Sequence, residues 1–297
     1  MIQKIAILGQ GSMGSSITQH AANCGFEVIL WGRNPEKVAA AVAKIGAAYD
    51  KQIKKNLEKG KINEEQAAAA QVAADAAKAR ITGTANWDDI ADADLVIEAI
   101  SEDPDLKKET FKKLEATCKP EAILASNTSS ISITEIASVL ATPERFIGMH
   151  FFNPVPLMKL VEIINGEKTS DATYEAVKDF CDNGLKKISV KVKDAPGFIV
   201  NRVLFAYFLE CIHIYEDGIA SKEDIDNAIK FGLNHPVAPF KMMDMGGLDT
   251  FPHVCESLQT LKSKGAKERF ECPKSMLELH AAGRYGLKVG AGWYDYK

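Results

Sequence analysis

The sequence lacks the features that mark several large classes of protein. Its six cysteines are widely separated and form no Cys-x-x-Cys pair, so neither a zinc site nor a disulfide framework is expected. Thirty-six Lys and Arg against 40 Asp and Glu give a net charge of −4, which argues against nucleic acid or an anionic membrane as the main partner. The longest apolar run, Gly197–Tyr215, is interrupted by Asn201, Arg202, Glu210 and His213, so no membrane span is predicted.

No targeting segment is recognisable either. The start, Met1–Lys4, runs directly into a strand-like pattern and leaves no room for the charged and apolar regions of a signal peptide or for an Arg-rich transit peptide. Together with the unpaired cysteines, this predicts a cytoplasmic location. The composition, with 46% apolar residues in 297, excludes extensive disorder and is enough for two domains.

Short β-branched runs alternate with helical patterns over the first two-thirds of the chain. This alternation predicts an α/β fold with a Rossmann-like, mostly parallel sheet. Helix starts are expected at Asp103-Pro104 and at Ser132 with Glu135, and long helices over Glu64–Lys78 and Asp171–Gly184. The predicted strands are Lys4–Leu8, Val28–Trp31, Leu95–Ile100, Ile123–Ser126, Phe146–Phe151, Leu160–Ile164 and Ile188–Val192.

After Val192 the pattern becomes helical only, beginning with the turn Asp194–Gly197. We therefore expect an NAD(P)-binding domain over residues 1–192 and an all-α domain over residues 193–297. The helix that follows the turn is apolar on most sides, more than a small domain can cover, which predicts a homodimer formed through the second domain.

The segment Gly9-Gln10-Gly11-Ser12-Met13-Gly14 follows a strand and opens a helix. A bare G-x-G-x-x-G is weak, but this strand–turn–helix–strand context is the one that dinucleotide binding requires. Gly9 permits the tight turn, Gly11 lets the backbone approach a pyrophosphate, and Gly14 allows close packing of helix on strand. The helix N-terminus favours the phosphates, so Gly9, Gly11, Met13 and Gly14 are predicted cofactor contacts.

The residues after the second strand, Gly32-Arg33-Asn34, bear on cofactor choice. NAD sites usually place an acidic residue there to bind the ribose 2′-hydroxyl. A guanidinium without a carboxylate instead suits a 2′-phosphate, which predicts NADP in preference to NAD. The alternative is that Arg33 stacks on adenine and leaves NAD as the cofactor.

Two stretches carry candidate catalytic groups. Ser126–Ser130 follows a strand at the edge where α/β sheets bind ligands, although such a loop also serves as an ordinary helix cap. His150 ends another strand, and Glu162 lies within an apolar strand. A lone His on a strand is more often a core residue, but a buried carboxylate needs a partner and His150 is a plausible one.

The glycine-rich turn, the Ser126–Ser130 loop and four further segments resemble motifs of the L-3-hydroxyacyl-CoA dehydrogenase family and follow one another in the order of that family. The resemblance covers nearly the whole chain. The four further segments are Leu95–Ile100, His150–Val155, Pro196–Arg202 and Gly286–Tyr294. The resemblance implies hydride transfer between C3 of a 3-hydroxyacyl-CoA and the nicotinamide, with acetoacetyl-CoA and 3-hydroxybutyryl-CoA as the expected pair. His150 would exchange the hydroxyl proton, since imidazole titrates near neutrality.

The resemblance also assigns roles to other positions. Glu162 would orient His150, while Ser129 and Asn201 would hydrogen-bond the reacting oxygen and the carbonyl region of the substrate. Lys59 matches a CoA-phosphate lysine, whereas charge pattern alone reads Lys51–Lys61 as a solvated helix face. Matching positions imply four more cofactor contacts: Glu102, Lys107, Asn153 and Lys288.

Three positions depart from the family pattern. Gly32 replaces the usual ribose-binding Asp, Gln52 replaces a CoA-contacting Ser of some members, and Ala238 replaces a common Gly. Two other functions stay open at this point: a related dehydrogenase acting on a free hydroxy acid such as a sugar acid, and a cofactor-binding protein without turnover.

Overall fold

The computed structural model describes residues 2–296, and Met1 and Lys297, the ends of the two predicted domains, lie outside the described residues. The chain forms two compact units, Met1–Asp194 and Ala195–Lys297. The prediction placed the boundary after Val192, whereas the last strand continues through Lys193.

The first unit is built on an eight-stranded sheet in the order β3-β2-β1-β4-β5-β6-β7-β8. All neighbours are parallel except β6 and β7, which are antiparallel. This is the predicted α/β fold with a mostly parallel sheet. The strands are β1 (Lys4–Leu8), β2 (Glu27–Trp31), β3 (Ile81–Thr84), β4 (Leu95–Glu98), β5 (Ile123–Ser126), β6 (Phe146–Phe151), β7 (Leu160–Asn165) and β8 (Ile188–Lys193).

Every helix of the first unit except α1 begins where a short polar side chain caps it. Asp103 accepts a hydrogen bond from the Leu106 N–H, as its position before Pro104 predicts. Ser132 caps the Glu135 N–H, but the Glu135 side chain pairs with Lys108 instead of completing a capping box. The helices are α1 (Ser12–Asn23), α2 (Pro35–Glu58), α3 (Glu64–Ala79), α4 (Pro104–Thr117), α5 (Ile133–Ala137) and α6 (Asp171–Asp179), which a π-helical turn extends over Phe180–Gly184.

The central strands have the continuous apolar sequences that a sheet covered on both faces requires. Ile5–Leu8 and Leu95–Ile97 have no exposed side-chain surface. Strand β4 ends at Glu98, two residues earlier than predicted, because the Glu98 carboxylate accepts the Ile100 N–H. The strand ends are thus fixed to the loops that follow them, which is where the candidate site residues lie.

Strand β3 was not predicted. Its sequence, Ile81-Thr82-Gly83-Thr84, contains one bulky apolar residue, and at an edge the strand buries too little to show a period of two. A side chain at Gly83 would meet Val38 of α2 within 2.8 Å, so packing of α2 explains the glycine.

The second unit is helical, as predicted. Its core includes Phe208, Ile212, Phe240, Phe251 and Trp293. The helices are α7 (Val200–Glu216), α8 (Lys222–Gly232), α9 (Pro239–Gly246), α10 (Phe251–Gln259), α11 (Ala266–Arg269) and α12 (Lys274–Ala281). Within residues 2–296, none of the helices combines the length and the apolar character needed to span a membrane.

Asp94 fastens β1 to the start of β4 and is expected to stabilise the first unit in a pH-dependent way. Its carboxylate accepts the Gln3 and Lys4 N–H groups and pairs with Lys119 at 2.5 Å. Burial alone would raise its pKa, but Lys119 and the two N–H donors outweigh burial and lower the pKa to about 2. The stabilisation is therefore present above pH 3.8 and is lost as the pH falls towards 2.

We expect Asp94→Asn to lower the free energy of unfolding by about 1 kcal/mol at pH 7. Urea unfolding at pH 7 and pH 3 measures this, and the difference from the parent protein should shrink at the lower pH. Asp92→Asn serves as the control, because Asp92 is 67% exposed and holds only a surface pair with Lys4, so its effect should stay below about 0.5 kcal/mol. An equal loss at both pH values would contradict the linkage.

Candidate active site

The glycine-rich turn between β1 and α1 contains two glycines that the packing of the protein requires and one that it does not require. Gly9 has φ of +114°, and a Cβ there would meet the Ala99 carbonyl oxygen at 2.4 Å. A Cβ at Gly14 would lie 1.8 Å from the Gly9 carbonyl oxygen. A Cβ at Gly11 would have no protein atom within 4 Å, so packing does not explain this glycine.

Open space at Gly11 fits a bound dinucleotide. Gly11 is the N-cap of α1, with no capping side chain, so the first N–H groups of the helix and its dipole are available to an anion. A pyrophosphate approaching the Gly11 backbone needs the space that a side chain would fill. Met13, in the first turn, packs on the main core of this unit.

Two alanine substitutions should separate these roles. Gly11→Ala has an allowed φ of −71° and open space, so we expect the thermal midpoint to stay within about 2 °C while the dinucleotide dissociation constant rises about tenfold or more. Gly14→Ala should destabilise the fold by about 3 kcal/mol, since its methyl overlaps backbone. Thermal unfolding and cofactor titration measure both. Unchanged affinity in Gly11→Ala would remove Gly11 from the binding site.

The end of β2 carries Gly32 and Arg33. A Cβ at Gly32 would lie 2.2 Å from the Gln10 Oε1 atom and 2.8 Å from Val38, so the end of the uncharged Gln10 side chain lies where the Cβ of an acidic residue would be. Arg33 is exposed, and no ion pair or hydrogen bond to another residue of 2–296 holds its guanidinium. The end of β2 therefore presents the Arg33 guanidinium to solvent, and residue 32 beside it carries no carboxylate.

His150 and Glu162 are brought together by strand pairing. They lie directly opposite each other in the antiparallel β6–β7 ladder, and His150 Nδ1 is 2.8 Å from Glu162 Oε2. Both side chains are buried. A carboxylate accepts hydrogen bonds, so His150 donates to Glu162 through Nδ1–H, and Nε2 is the ring nitrogen that would exchange a proton. This arrangement can accept and return a proton.

The loops around His150 are tied to neighbouring elements. Asn127, after β5, accepts the Phe151 N–H at 2.9 Å, and the Phe152 ring lies 4.5 Å from the imidazole, centroid to centroid. The Val155 N–H donates to Ser16 of α1 at 3.1 Å. These contacts bring the end of β6 and the predicted cofactor residue Asn153 next to the glycine-rich turn.

Ser129 is linked to the predicted cofactor residues Glu102 and Lys107. Glu102 Oε1 accepts the Ser129 N–H at 2.8 Å and the Thr128 hydroxyl at 2.6 Å. Lys107 is 1% exposed, and its ammonium lies 3.2 Å from Glu102 and 2.6 Å from Glu98. Lys107 thus forms an ion-pair network inside the protein, and its predicted contact with a cofactor stays a prediction.

The Glu102 carboxyl is ionised at neutral pH. Burial acts to raise its pKa, but the charge of Lys107 and the hydrogen bonds from Thr128 and Ser129 outweigh burial and leave the pKa lowered. Glu102 therefore offers a fixed negative charge to the N–H groups of the Ser129 loop.

A cavity of about 640 Å³ lies between α1 and α2. At one end it is bordered by Gly11, Ser12 and Asn153, and α2 contributes Lys37 and Lys44. Its wall is formed largely by small side chains. Space of this size next to the glycine-rich turn is suited to a ligand with anionic groups.

The predicted CoA-contacting segment is the end of the same helix. Lys51–Glu58 is the last part of α2 and Lys59 is its C-cap. Lys54 pairs weakly with Glu58, 3.9 Å away on the surface. Gln52 donates to Asn56 at 3.0 Å, so its amide is engaged within the helix. The segment is an exposed, positively charged continuation of the helix that borders the cavity.

Three predicted positions lie in the second unit. Asn201 is in the first turn of α7. Lys288 belongs to a short 3₁₀ turn, Leu287–Val289, and pairs with Asp249 at 2.5 Å. Ala238 is buried and is the N-cap of α9. The site roles predicted for Asn201 and Lys288 stay predictions.

The sequence alone predicts no role for Glu98, although the residue lies within the segment Leu95–Ile100 that resembles the family. The available signal was a single acidic residue that ends a fully apolar strand.

Among residues 2–296 there is no group of three or more His, Cys, Asp or Glu side chains arranged to hold a metal ion.

Comparisons with known proteins match the whole chain. Residues 4–195 match the model of the 3-hydroxyacyl-CoA dehydrogenase NAD-binding domain, and residues 197–296 match that of the 3-hydroxyacyl-CoA dehydrogenase C-terminal domain. A 3-hydroxybutyryl-CoA dehydrogenase of Clostridioides difficile is 41% identical over 99% of both chains. The crystal structure of an (S)-3-hydroxybutyryl-CoA dehydrogenase from Ralstonia eutropha is 39% identical, covers 100% of both chains and superposes with a TM-score of 0.90.

Proposed function

The chain belongs to the 3-hydroxyacyl-CoA dehydrogenase family, an NAD-dependent oxidoreductase family, and we propose that it interconverts (S)-3-hydroxybutyryl-CoA and acetoacetyl-CoA, with NADP preferred over NAD. Because the family consists of oxidoreductases, family membership argues against the hypothesis that this chain is a cofactor-binding protein without turnover. The observation that carries the proposal is the buried His150–Glu162 pair on a sheet that also presents a dinucleotide turn. Relatives that bear this substrate name match over the full chain.

In this proposal His150 moves the proton of the substrate 3-hydroxyl. With Nδ1–H donated to Glu162, the Nε2 lone pair accepts the proton in oxidation and returns it in reduction. Glu162 stabilises the imidazolium that forms. Ser129 and Asn201 donate hydrogen bonds to the reacting oxygen and the carbonyl region. The nicotinamide, when bound, supplies or accepts the hydride at C3.

Cofactor binding is assigned to Gly9, Gly11, Met13 and Gly14 at the turn, with Glu102, Lys107, Asn153 and Lys288 as further contacts. Open space at Gly11 and the exposed N-terminus of α1 support this assignment. Arg33 is proposed to bind the 2′-phosphate, because residue 32 is a glycine, so no ribose-binding carboxylate stands beside the exposed guanidinium. One charged hydrogen-bonding group of this kind is worth about 1.5–3 kcal/mol, or roughly ten- to hundredfold in affinity.

The CoA part of the substrate is assigned to the basic end of α2. Lys59 would contact a CoA phosphate, and Lys37 and Lys44 border the cavity that leads from the glycine-rich turn along the same helix. Several exposed lysines along one helix attract a polyanion such as the phosphate groups of CoA. A free hydroxy acid would gain little from this surface, which favours CoA esters over the free acids.

Initial rates of acetoacetyl-CoA reduction with NADPH and with NADH test the proposal. We expect kcat/KM to be at least about tenfold higher with NADPH, and free acetoacetate to be a poor substrate. Higher kcat/KM with NADH would overturn the NADP assignment and leave the reaction standing. Turnover of free acetoacetate but not of its CoA ester would overturn the CoA assignment.

Arg33→Ala makes the cofactor test specific. Its NADPH affinity should fall about tenfold or more while NADH affinity changes little. Lys168→Ala is the matched control, because it removes one exposed positive charge far from the site. Lys168 follows β7, which runs antiparallel to β6. It therefore lies at the edge of the sheet opposite to the edge that carries Arg33. Equal losses for both cofactors in Arg33→Ala would exclude a 2′-phosphate contact.

The homodimer and the cytoplasmic location belong to the same proposal. The second unit exposes several large apolar side chains, including Val203, Ile219, Phe231 and Leu233, each more than 60% exposed. Surfaces of this kind usually mark an interface between subunits. Light scattering at micromolar concentration should give twice the 32.4 kDa of the chain, and a monomer would contradict the dimer.

A further inference from the structure

Glu98, at the end of β4, is a buried carboxylate to which the proposed reaction assigns no role. Its side chain has no exposed surface. One oxygen accepts the Lys107 ammonium at 2.6 Å and the Ile100 N–H at 2.7 Å, and the other accepts the Ser126 hydroxyl at 2.6 Å. Burial of a carboxylate is costly unless its oxygens are satisfied in this way. The contacts account for its burial but not for what the buried charge does.

From Glu98 a chain of charged contacts leads to Ser129. Lys107 lies between two carboxylates, Glu98 at 2.6 Å and Glu102 at 3.2 Å. The other oxygen of Glu102 accepts the N–H groups of Ser129 and Ser130 at 2.8 and 3.2 Å. Every link is charged on at least one side, and such hydrogen bonds are roughly twice as strong as neutral ones.

The position of Glu102 depends on how the Lys107 charge is balanced. The shorter contact of Lys107 is with the buried Glu98 carboxylate, so Glu102 can direct its second oxygen to the serine loop. Without the Glu98 charge, a buried ammonium would have Glu102 as its remaining carboxylate partner among the described residues. Because an unbalanced buried charge is costly, Glu102 would be drawn towards Lys107 and away from Ser129 and Ser130.

We propose that Glu98 is a positioning residue, which fixes Lys107 and thereby keeps Glu102 hydrogen-bonded to the Ser129 and Ser130 backbone. This deepens the proposed function, because it assigns Glu98 to the placement of Ser129 in the same site. Glu98 touches no reacting atom and acts only through its neighbours.

Amide hydrogen exchange in the ligand-free protein tests the proposal without turnover. In Glu98→Gln we expect exchange at Ser129 and Ser130 to be about tenfold faster or more, since both N–H groups lose a charged acceptor. The acceleration at Ser129 and Ser130 should exceed any acceleration in the cores of β1 and β5, which reports the change in global stability. Unaltered exchange at Ser129 and Ser130 would overturn the proposal.

A double-mutant cycle supplies the kinetic test. Glu98→Gln should lower kcat about tenfold or more in the parent protein but less than about threefold in a Ser129→Ala background, because the effect passes through Ser129. Equal fold-losses in both backgrounds would show a general structural effect and contradict the proposal. Glu135→Gln is the control: it neutralises the partner of the adjacent Lys108 on the surface and should alter neither readout.

Glu98→Asp covers the case in which the amide variant does not fold. It keeps the charge but shortens the side chain by one methylene, so the Lys107 contact should lengthen and exchange at Ser129 and Ser130 should again accelerate. Normal exchange in a folded Glu98→Asp protein with kcat unchanged would overturn the proposal. Altered exchange in a protein that never reduces acetoacetyl-CoA would instead remove the proposed function and leave the positioning role.

Discussion

Replacement of His150 by glutamine is expected to lower kcat about 10²- to 10⁴-fold, the usual contribution of a positioned acid–base group. Glutamine can still bond Glu162, but its amide cannot exchange a proton near neutral pH. Dinucleotide affinity should stay within about twofold, because the turn at Gly9–Gly14 is separate from the imidazole. Steady-state reduction of acetoacetyl-CoA and a fluorescence titration with the reduced cofactor measure the two quantities.

His253→Gln is the matched control for this substitution. His253 lies on α10 and its side chain is 77% exposed, so the same chemical change there should leave kcat within about twofold. Near-normal turnover in His150→Gln would remove His150 from the mechanism. A parallel loss of cofactor affinity would show that the substitution had disturbed the binding loops.

Glu162→Gln should lower kcat about 10²-fold or more with a KM that changes little. A glutamine amide can donate to Nδ1, which places the imidazole proton on Nε2 and removes the lone pair that the proton transfer needs. Amide replacement of the acidic partner in a serine-protease triad costs about 10⁴ in kcat for this reason. Glutamine also provides no charge to stabilise the imidazolium. Saturation kinetics in both reaction directions measure the loss.

Stability must be followed in the same variant, since Glu162 has no exposed surface. Glutamine has nearly the same volume, so we expect a loss of about 1–3 kcal/mol from the weakened buried hydrogen bonds and a folded protein at 25 °C. Glu167→Gln, an exposed position just after β7, should change neither stability nor kcat. Full activity in a folded Glu162→Gln protein would exclude an orienting role.

The strongly patterned parts of the fold could be predicted because burial on both faces leaves an unmistakable apolar run. Six of the predicted strands follow from local residues in this way. Strand β8, a largely exposed edge strand, could be predicted from its β-branched residues, and the helix caps at Asp103 and Ser132 from their short polar side chains. Strand β3 could not, because an edge strand that reads Ile81-Thr82-Gly83-Thr84 owes its conformation to β2 and to packing of α2 on Gly83. Such tertiary causes leave no local period.

The candidate site divides along the same line. A Glu in an apolar strand and a His in another strand predict that the two side chains pair. The strand register that places His150 opposite Glu162 cannot be predicted from the sequence of either strand alone. The sequence suggested Lys107 as a cofactor contact from its motif position. Its burial between Glu98 and Glu102 depends on a turn of α4 facing the end of β4, which residue spacing does not show.

The crowding of Gly32 by Gln10 and Val38 makes the order of mutations matter in any change of ribose recognition. Aspartate at position 32 would require the flexible Gln10 carboxamide to swing aside, but the β-branched Val38 side chain, 2.8 Å from the added Cβ, can move less. Shortening Val38 beforehand opens that space and lowers the cost. Positions 32 and 38 are therefore expected to be epistatic, and a switch of cofactor preference in this scaffold should proceed through residue 38 before residue 32.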